Sequence, residues 1–231
     1  MTQAVFQVAL DGPAASGKST VARLLANRLG GYYINTGDMY RTVAWQCHVH
    51  GIDPDKAPDK VAALLTTLEL RYRIDADGKP QLYLNGTAVE ASKVRSPEAA
   101  AIVSQVARLP QVRQWLLERQ RECASLGIVI MEGRDIGTVI FPQAKYKFFV
   151  TASPMERARR RMAQPGEVPP GTTLEQVAAA IAERDRIDST RATAPLKPAP
   201  DAELVNTDGM DVEAVADFIT ARIRQGETAH P

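Results

Sequence analysis

Apolar and polar positions along the chain follow two periods in turn. Ala4 to Leu10 is a short apolar run that suits a buried strand, and Val21, Leu24, Leu25 and Leu29 then recur at the three-to-four spacing of a helix face. Tyr32-Tyr33-Ile34 reads as a second strand. A helix is expected from there through Val49, with Thr36 as its N-cap, and another from Lys56 to about Thr67. Leu68 to Ile74 alternates at period two, as does Gln81 to Leu84. Asn85-Gly86 predicts a hairpin turn into a third short strand at Thr87 to Glu90. Pro97 to Ala107 and Gln111 to Ala124 read as helices parted by Leu109-Pro110. Ile128 to Met131 and Tyr146 to Val150 have the apolar density of buried strands. Pro154 opens a helix, Thr172 or Thr173 caps the next, Glu203 to Asn206 is a last strand and Val212 to Ile223 a last helix. Strands alternating with helices predict an α/β fold, a parallel sheet of about five strands with helices on both faces. The antiparallel piece at about 68–90 is inserted into it.

The first strand–helix junction carries the most specific signal. Gly12-Pro13-Ala14-Ala15-Ser16-Gly17-Lys18-Ser19-Thr20 joins them in the order strand, glycine loop, Lys-Ser, helix. That context is what a phosphate-cradling P-loop requires. Glycines at both ends let successive backbone N–H groups turn inward, and the helix points its positive end at the same place. Lys18 is expected on the β and γ phosphates of a nucleoside triphosphate, with the Ser19 hydroxyl on Mg²⁺.

Composition narrows what surrounds this site. The 231 residues are 45% hydrophobic, enough for a real core, and the formal net charge of +1 argues against a general nucleic-acid surface. Cys47 and Cys123 have no metal or redox spacing, and His48, His50 and His230 form no ligand cluster. No basic segment followed by an apolar stretch precedes the loop, and no apolar run would span a bilayer, so a cytoplasmic location is expected.

Further polar groups stand where a ligand would meet them. In open α/β sheets ligands bind beyond the carboxyl ends of the strands. Ile128 to Met131 ends in Glu132-Gly133-Arg134-Asp135-Ile136-Gly137-Thr138. Glu132 is thus a candidate to help hold Mg²⁺, directly or through water, with Arg134 and Asp135 beside it. Arg41 sits early in a helix, where a cation is favourable only with an anion nearby. Arg157, Arg159, Arg160 and Arg161 crowd one short helix. They could form a solvated face, an RNA patch, or a lid that neutralises a transferring phosphate. Arg184, Asp188 and Arg191 fall at i, i+4 and i+7, one stripe if the helix continues through them. Two arginines about one aspartate suit a phosphorylated sugar.

Taken together, the P-loop, Thr-Gly-Asp-Met-Tyr-Arg at 36–41, Ser-Gln-Val-Ala at 104–107, Gly-Arg-Asp-Ile-Gly-Thr at 133–138, and Glu-Arg-Asp through Arg191 followed by Ala-Thr-Ala-Pro-Leu resemble the bacterial cytidylate kinases. The resemblance covers nearly the whole chain. It implies one P-loop kinase domain over 1–231, an acceptor-nucleotide region at 36–108 and a short lid at 154–172. It also implies ATP and Mg²⁺ with CMP or dCMP as acceptor, and a monomer without nucleic-acid or membrane partners. Thr36, Arg41 and Arg134 would contact the acceptor phosphate, and Ser104, Arg113 and Asp135 the cytosine edge. Asp188 would hold ribose hydroxyls, with Arg184 and Arg191 at the acceptor phosphate or the transfer site, and Arg157 and Arg161 would belong to a short lid over the ATP phosphates. Three positions depart from the family pattern: Asn35 and Glu132 where aspartate is common, and Asp38 where a small residue is usual. The alternatives are a P-loop kinase for another acceptor, such as shikimate or gluconate, and a nucleotide switch. The guanine-reading Asn-Lys-x-Asp motif of GTPases is absent from the sequence.

Overall fold

The computed structural model describes residues 5–164 and 168–228; residues 165–167 of the expected lid, and His230, lie outside the described residues. In chain order the elements are β1 (Gln7–Asp11), α1 (Lys18–Leu29), β2 (Tyr32–Asn35), α2 (Thr36–Val49), α3 (Pro58–Leu65), β3 (Leu70–Ile74), β4 (Pro80–Leu84), β5 (Thr87–Ala88) and α4 (Ala91–Val94). They continue with α5 (Pro97–Arg108), α6 (Pro110–Glu122), β6 (Val129–Gly133), β7 (Tyr146–Thr151), α7 (Pro154–Met162), α8 (Leu174–Thr190), β8 (Glu203–Asn206) and α9 (Val212–Thr228). A 3₁₀ turn follows α6 at Cys123–Leu126, and one π-helical turn spans Ile136–Ile140.

The main sheet has five strands in the order β2-β6-β1-β7-β8. β1 runs parallel to β6 and β7, and β7 parallel to β8. β3, β4 and β5 form the separate antiparallel sheet. Its second hairpin turns at Asn85 and Gly86, whose φ values of 49° and 79° are what a two-residue turn of the primed type needs.

The chain divides into two compact units, Met1–Tyr33 with Gly127–Pro231, and Ile34–Leu126. In the first, Val8, Leu10, Ile130, Phe148 and Val150 pack against Val21, Ala22 and Leu25 of α1 and Val215, Ile219 and Ile223 of α9. In the second, Met39, Tyr40, Val43 and Cys47 of α2 pack with Ala99, Val103 and Val106 of α5 and Leu116 of α6. Leu70 and Leu82 join them from the small sheet. No helix among the described residues is long and apolar enough to cross a membrane.

Of the element ends that differ from expectation, four have a local reason. Thr36 is the first residue of α2 and Asn35 occupies the cap position. α3 begins only at Pro58: a proline at the first helical position excludes α geometry before it, and Ala57 has φ −135°, ψ 56°. α6 tightens into the 3₁₀ turn at Cys123. α8 stops at Thr190, so Arg191 does not continue the stripe of Arg184 and Asp188. It is extended, with φ −63° and ψ 142°, because the Asp188 carbonyl accepts the Leu196 N–H (2.8 Å) as the chain doubles back before Pro195.

Candidate active site

In the first unit the loop after β1 is shaped by three left-handed residues, Gly12 (φ 147°), Ala15 (φ 60°) and Gly17 (φ 88°). At Gly12 a side chain is excluded twice, since a Cβ there would sit 2.0 Å from the Val150 carbonyl oxygen of β7. Gly17 is the N-cap of α1, and no side chain caps that first turn. Helix-start N–H groups without a side-chain cap are a ready anion site.

Lys18 is buried and folds back over the loop, its Nζ donating to the Pro13 carbonyl (2.6 Å) and to Ser16 Oγ (3.1 Å). Burial, with the Arg134 charge adding to it, brings its ammonium down to about 7. The loop is braced from outside. Ala14 N–H donates to Asp185 Oδ1 (3.3 Å), and Arg157 donates to the Ala14 carbonyl (3.1 Å), the Ala152 carbonyl (3.0 Å) and Asp185.

Arg157 was expected in a lid; the structure instead buries it under the loop. It stands in the first turn of α7, directly behind the Ser153 cap, and that position faces inward. Arg160 binds Thr207 through Oγ1 and the carbonyl, at 2.8 Å each. Arg159 is exposed and Arg161 half-buried.

Of the two groups expected to serve Mg²⁺, Ser19 lies in the first turn of α1 and Glu132 is buried at the end of β6. Tyr33 donates its hydroxyl to Glu132 Oε1 (2.5 Å). Mg²⁺ bound with a nucleotide takes one or two protein oxygens and completes its shell from phosphates and water. A hydroxyl and a buried carboxylate fit that demand.

Beyond β6 lies a group of paired charges. Arg134 Nε donates to Asp188 Oδ2 (3.0 Å), while Arg191 lies 3.7 Å from Asp188 Oδ1 and 3.9 Å from Asp135 Oδ1. Asp135, Asp188 and the side chain of Arg191 are buried. Arg184 is half-buried on α8. Arg134, Asp135, Asp188 and Arg191 are thus brought together although Arg191 is off the helix. The π turn that follows is fixed by Asp11, whose two carboxylate oxygens accept the Ile136 and Gly137 N–H groups at 2.7 Å each. Burial pushes the Asp11 carboxyl up to about 6, against the pull of those two bonds.

In the second unit Thr36 is buried and Arg41 and Ser104 are half-buried. Arg113 is buried, its guanidinium 5.6 Å from the centre of the Tyr40 ring and donating to the Ala107 carbonyl (3.3 Å). Asp38, the extra charge beside Thr36, receives a two-pronged bond from Arg95 Nη2 at 2.9 and 3.0 Å.

The profile of the family described as cytidylate kinase matches residues 8–225. The chain belongs to the cytidylate kinase family. A cytidylate kinase of Pelotomaculum thermopropionicum is 47% identical over 222 residues, covering 95% of this chain and 96% of that protein. One from Thermotoga petrophila is 43% identical over 220 residues, 95% of this chain and 97% of its own length. A bifunctional pantoate ligase/cytidylate kinase of Synechococcus elongatus is 48% identical over 216 residues; the match spans 92% of this chain and 41% of that longer protein. Among solved structures, a shikimate kinase from Bacteroides thetaiotaomicron aligns over 96% of this chain and 99% of its own at 13% identity, with a TM-score of 0.47.

Four residues of this cytidylate kinase family member escaped the sequence reading: Asp11, Tyr33, Arg95 and Asp185. Asp11 could have been found, since it is the last residue of a strand and abuts Gly12. The other three carry no signal in periodicity or motif; the partners named above lie 28 or more positions away.

Proposed function

We infer that the chain transfers the γ-phosphoryl group of ATP to CMP or dCMP, giving ADP and CDP or dCDP. Family membership over residues 8–225 carries this reading. The P-loop geometry supports the donor half, and the paired arginines and aspartates beyond β6 support a phosphorylated sugar. The reading includes a monomer that works in the cytoplasm on small molecules.

In the first unit, loop 12–20 takes the donor phosphates through its backbone N–H groups, of which Pro13 has none, and through Lys18, while Ser19 and Glu132 would hold Mg²⁺. Bound Mg²⁺ offsets charge on the β and γ phosphates. Arg134 serves the acceptor phosphate, Asp135 the base, Asp188 the ribose hydroxyls, and Arg184 and Arg191 the phosphoryl in transit. In the second unit, Thr36 and Arg41 serve the acceptor phosphate, and Ser104 and Arg113 the base. Arg161 remains assigned to the lid, whereas Arg157 acts by bracing the loop.

An acceptor phosphate is already an anion near neutral pH, so no strong general base is needed and catalysis is positioning plus charge stabilisation. The ion pairs of Arg191 at 3.7 and 3.9 Å are longer than hydrogen bonds, so exchanging them for phosphate oxygens gives up little.

The test is ADP release from ATP and Mg²⁺ in a coupled assay with CMP, dCMP, UMP, AMP, GMP, shikimate or no acceptor. Fast turnover with CMP and dCMP alone is expected, with UMP slower. Turnover confined to another acceptor would overturn the base-reading assignments, and equal slow turnover with every addition would overturn the kinase.

A further inference from the structure

We propose that Tyr33 is a positioning residue for the cation subsite, holding the Glu132 carboxylate in one orientation through its hydroxyl. The proposal rests on the donor half of the reading above. The phenol donates to Glu132 Oε1 at 2.5 Å. The bond engages one oxygen of Glu132 and leaves the carboxylate's charge intact.

Two elements meet at this bond, Tyr33 from β2 and Glu132 from the end of β6. The tyrosine is itself fixed, its ring packed on the core of the first unit and the Arg23 guanidinium 5.0 Å from its centre. Glu132 has one more rotatable bond than an aspartate. The Tyr33 bond takes up that freedom, as partners of metal-binding carboxylates do elsewhere.

The measurement is the affinity for a fluorescent ATP analogue, with Mg²⁺ and with EDTA, in wild type, Tyr33→Phe, Glu132→Asp and the double variant. Phenylalanine keeps the ring under Arg23 and removes only the hydroxyl. In wild type Mg²⁺ should tighten binding. In Tyr33→Phe that gain should shrink by about tenfold, the scale of losing a partner of a metal-binding carboxylate, while the affinity in EDTA is kept. Glu132→Asp, too short to reach the phenol, should lose a similar part, and the double variant no more than either alone.

An undiminished Mg²⁺ gain in Tyr33→Phe would overturn the proposal, as would an equal loss in EDTA, which marks a merely structural role. Additive losses in the double variant would also overturn it. Failure of the wild-type chain to bind the analogue at all would instead overturn the kinase reading on which the proposal stands.

Discussion

Binding of a metal-complexed triphosphate should draw a proton from solution, and Lys18 is the reason. Burial, aided by the charge of Arg134, brings its ammonium down to about 7. About half of the ligand-free molecules then carry a neutral Lys18 at pH 7, and about nine in ten at pH 8. Triphosphate oxygens beside the Nζ favour the charged form, so binding must recharge it. The expected uptake is about 0.5 proton per site at pH 7, rising to about 0.9 at pH 8. Calorimetry of Mg·ATP binding in two buffers of different ionisation enthalpy reads this directly. The direction of change with pH identifies the source. Asp11, pushed up to about 6, would give an uptake that falls from pH 7 to pH 8. Lys18→Met should abolish the rising component. No uptake at pH 8, or the same uptake in Lys18→Met, would refute the reasoning.

Asp11 sets a second pH dependence. Its folded-state pKa of about 6 lies above the ordinary carboxyl value of 3.8, so the folded chain binds more protons in that window. Its contribution to stability is therefore largest below the window and falls by about 3 kcal/mol as pH rises through it. Urea unfolding at pH 4.5 and 6.5 samples about 2 kcal/mol of that fall, which should be absent in Asp11→Asn, and an unchanged pH slope would count against it. Arg184→Ala and Arg191→Ala should each lower kcat by about a hundredfold or more, as losses of positioned transition-state donors do; the melting temperature should be nearly kept in Arg184→Ala and lowered in Arg191→Ala, which takes a cation from the buried Asp135 and Asp188, and near-normal turnover in both would remove them from catalysis. Asp188→Ala should raise the KM for CMP and dCMP, and an unchanged acceptor KM in steady-state assays would exclude the ribose role. Arg95→Ala should raise the KM for CMP several-fold by leaving the Asp38 charge uncompensated beside Thr36. Adding Asp38→Ala should restore it, and a double variant no better than the single one would reject that coupling.

Periodicity sufficed for the elements because each depends on neighbours a few positions away. The alternation of Leu70 to Ile74, the three-to-four spacing of Val21, Leu25 and Leu29, and the Asn85-Gly86 turn all reappear where they were read. The phosphate loop was equally legible, because strand, glycines and Lys-Ser are contiguous. What escaped were choices made after distant segments met. Asp185 reaches the Ala14 N–H across 171 positions, and Asp11 reaches that of Gly137 across 126. Nothing local distinguishes Asp185 from a solvated carboxylate, and Asp11 is marked only by its place at a strand end before Gly12. Arg157 was one of four crowded arginines, readable as a solvated face, an RNA patch or a lid, whereas its bonds to the Ala14 and Ala152 carbonyls hold it under the loop. Arg191 left its stripe because the Asp188 carbonyl takes the N–H of Leu196, a competition no helical wheel contains. Sequence alone therefore determined the strands, the helices and the donor loop, each stabilised by contacts within a turn or a pleat. The tertiary structure decided which buried charges became partners, because burying a charge is favourable only where an opposite charge or an N–H has been brought to meet it.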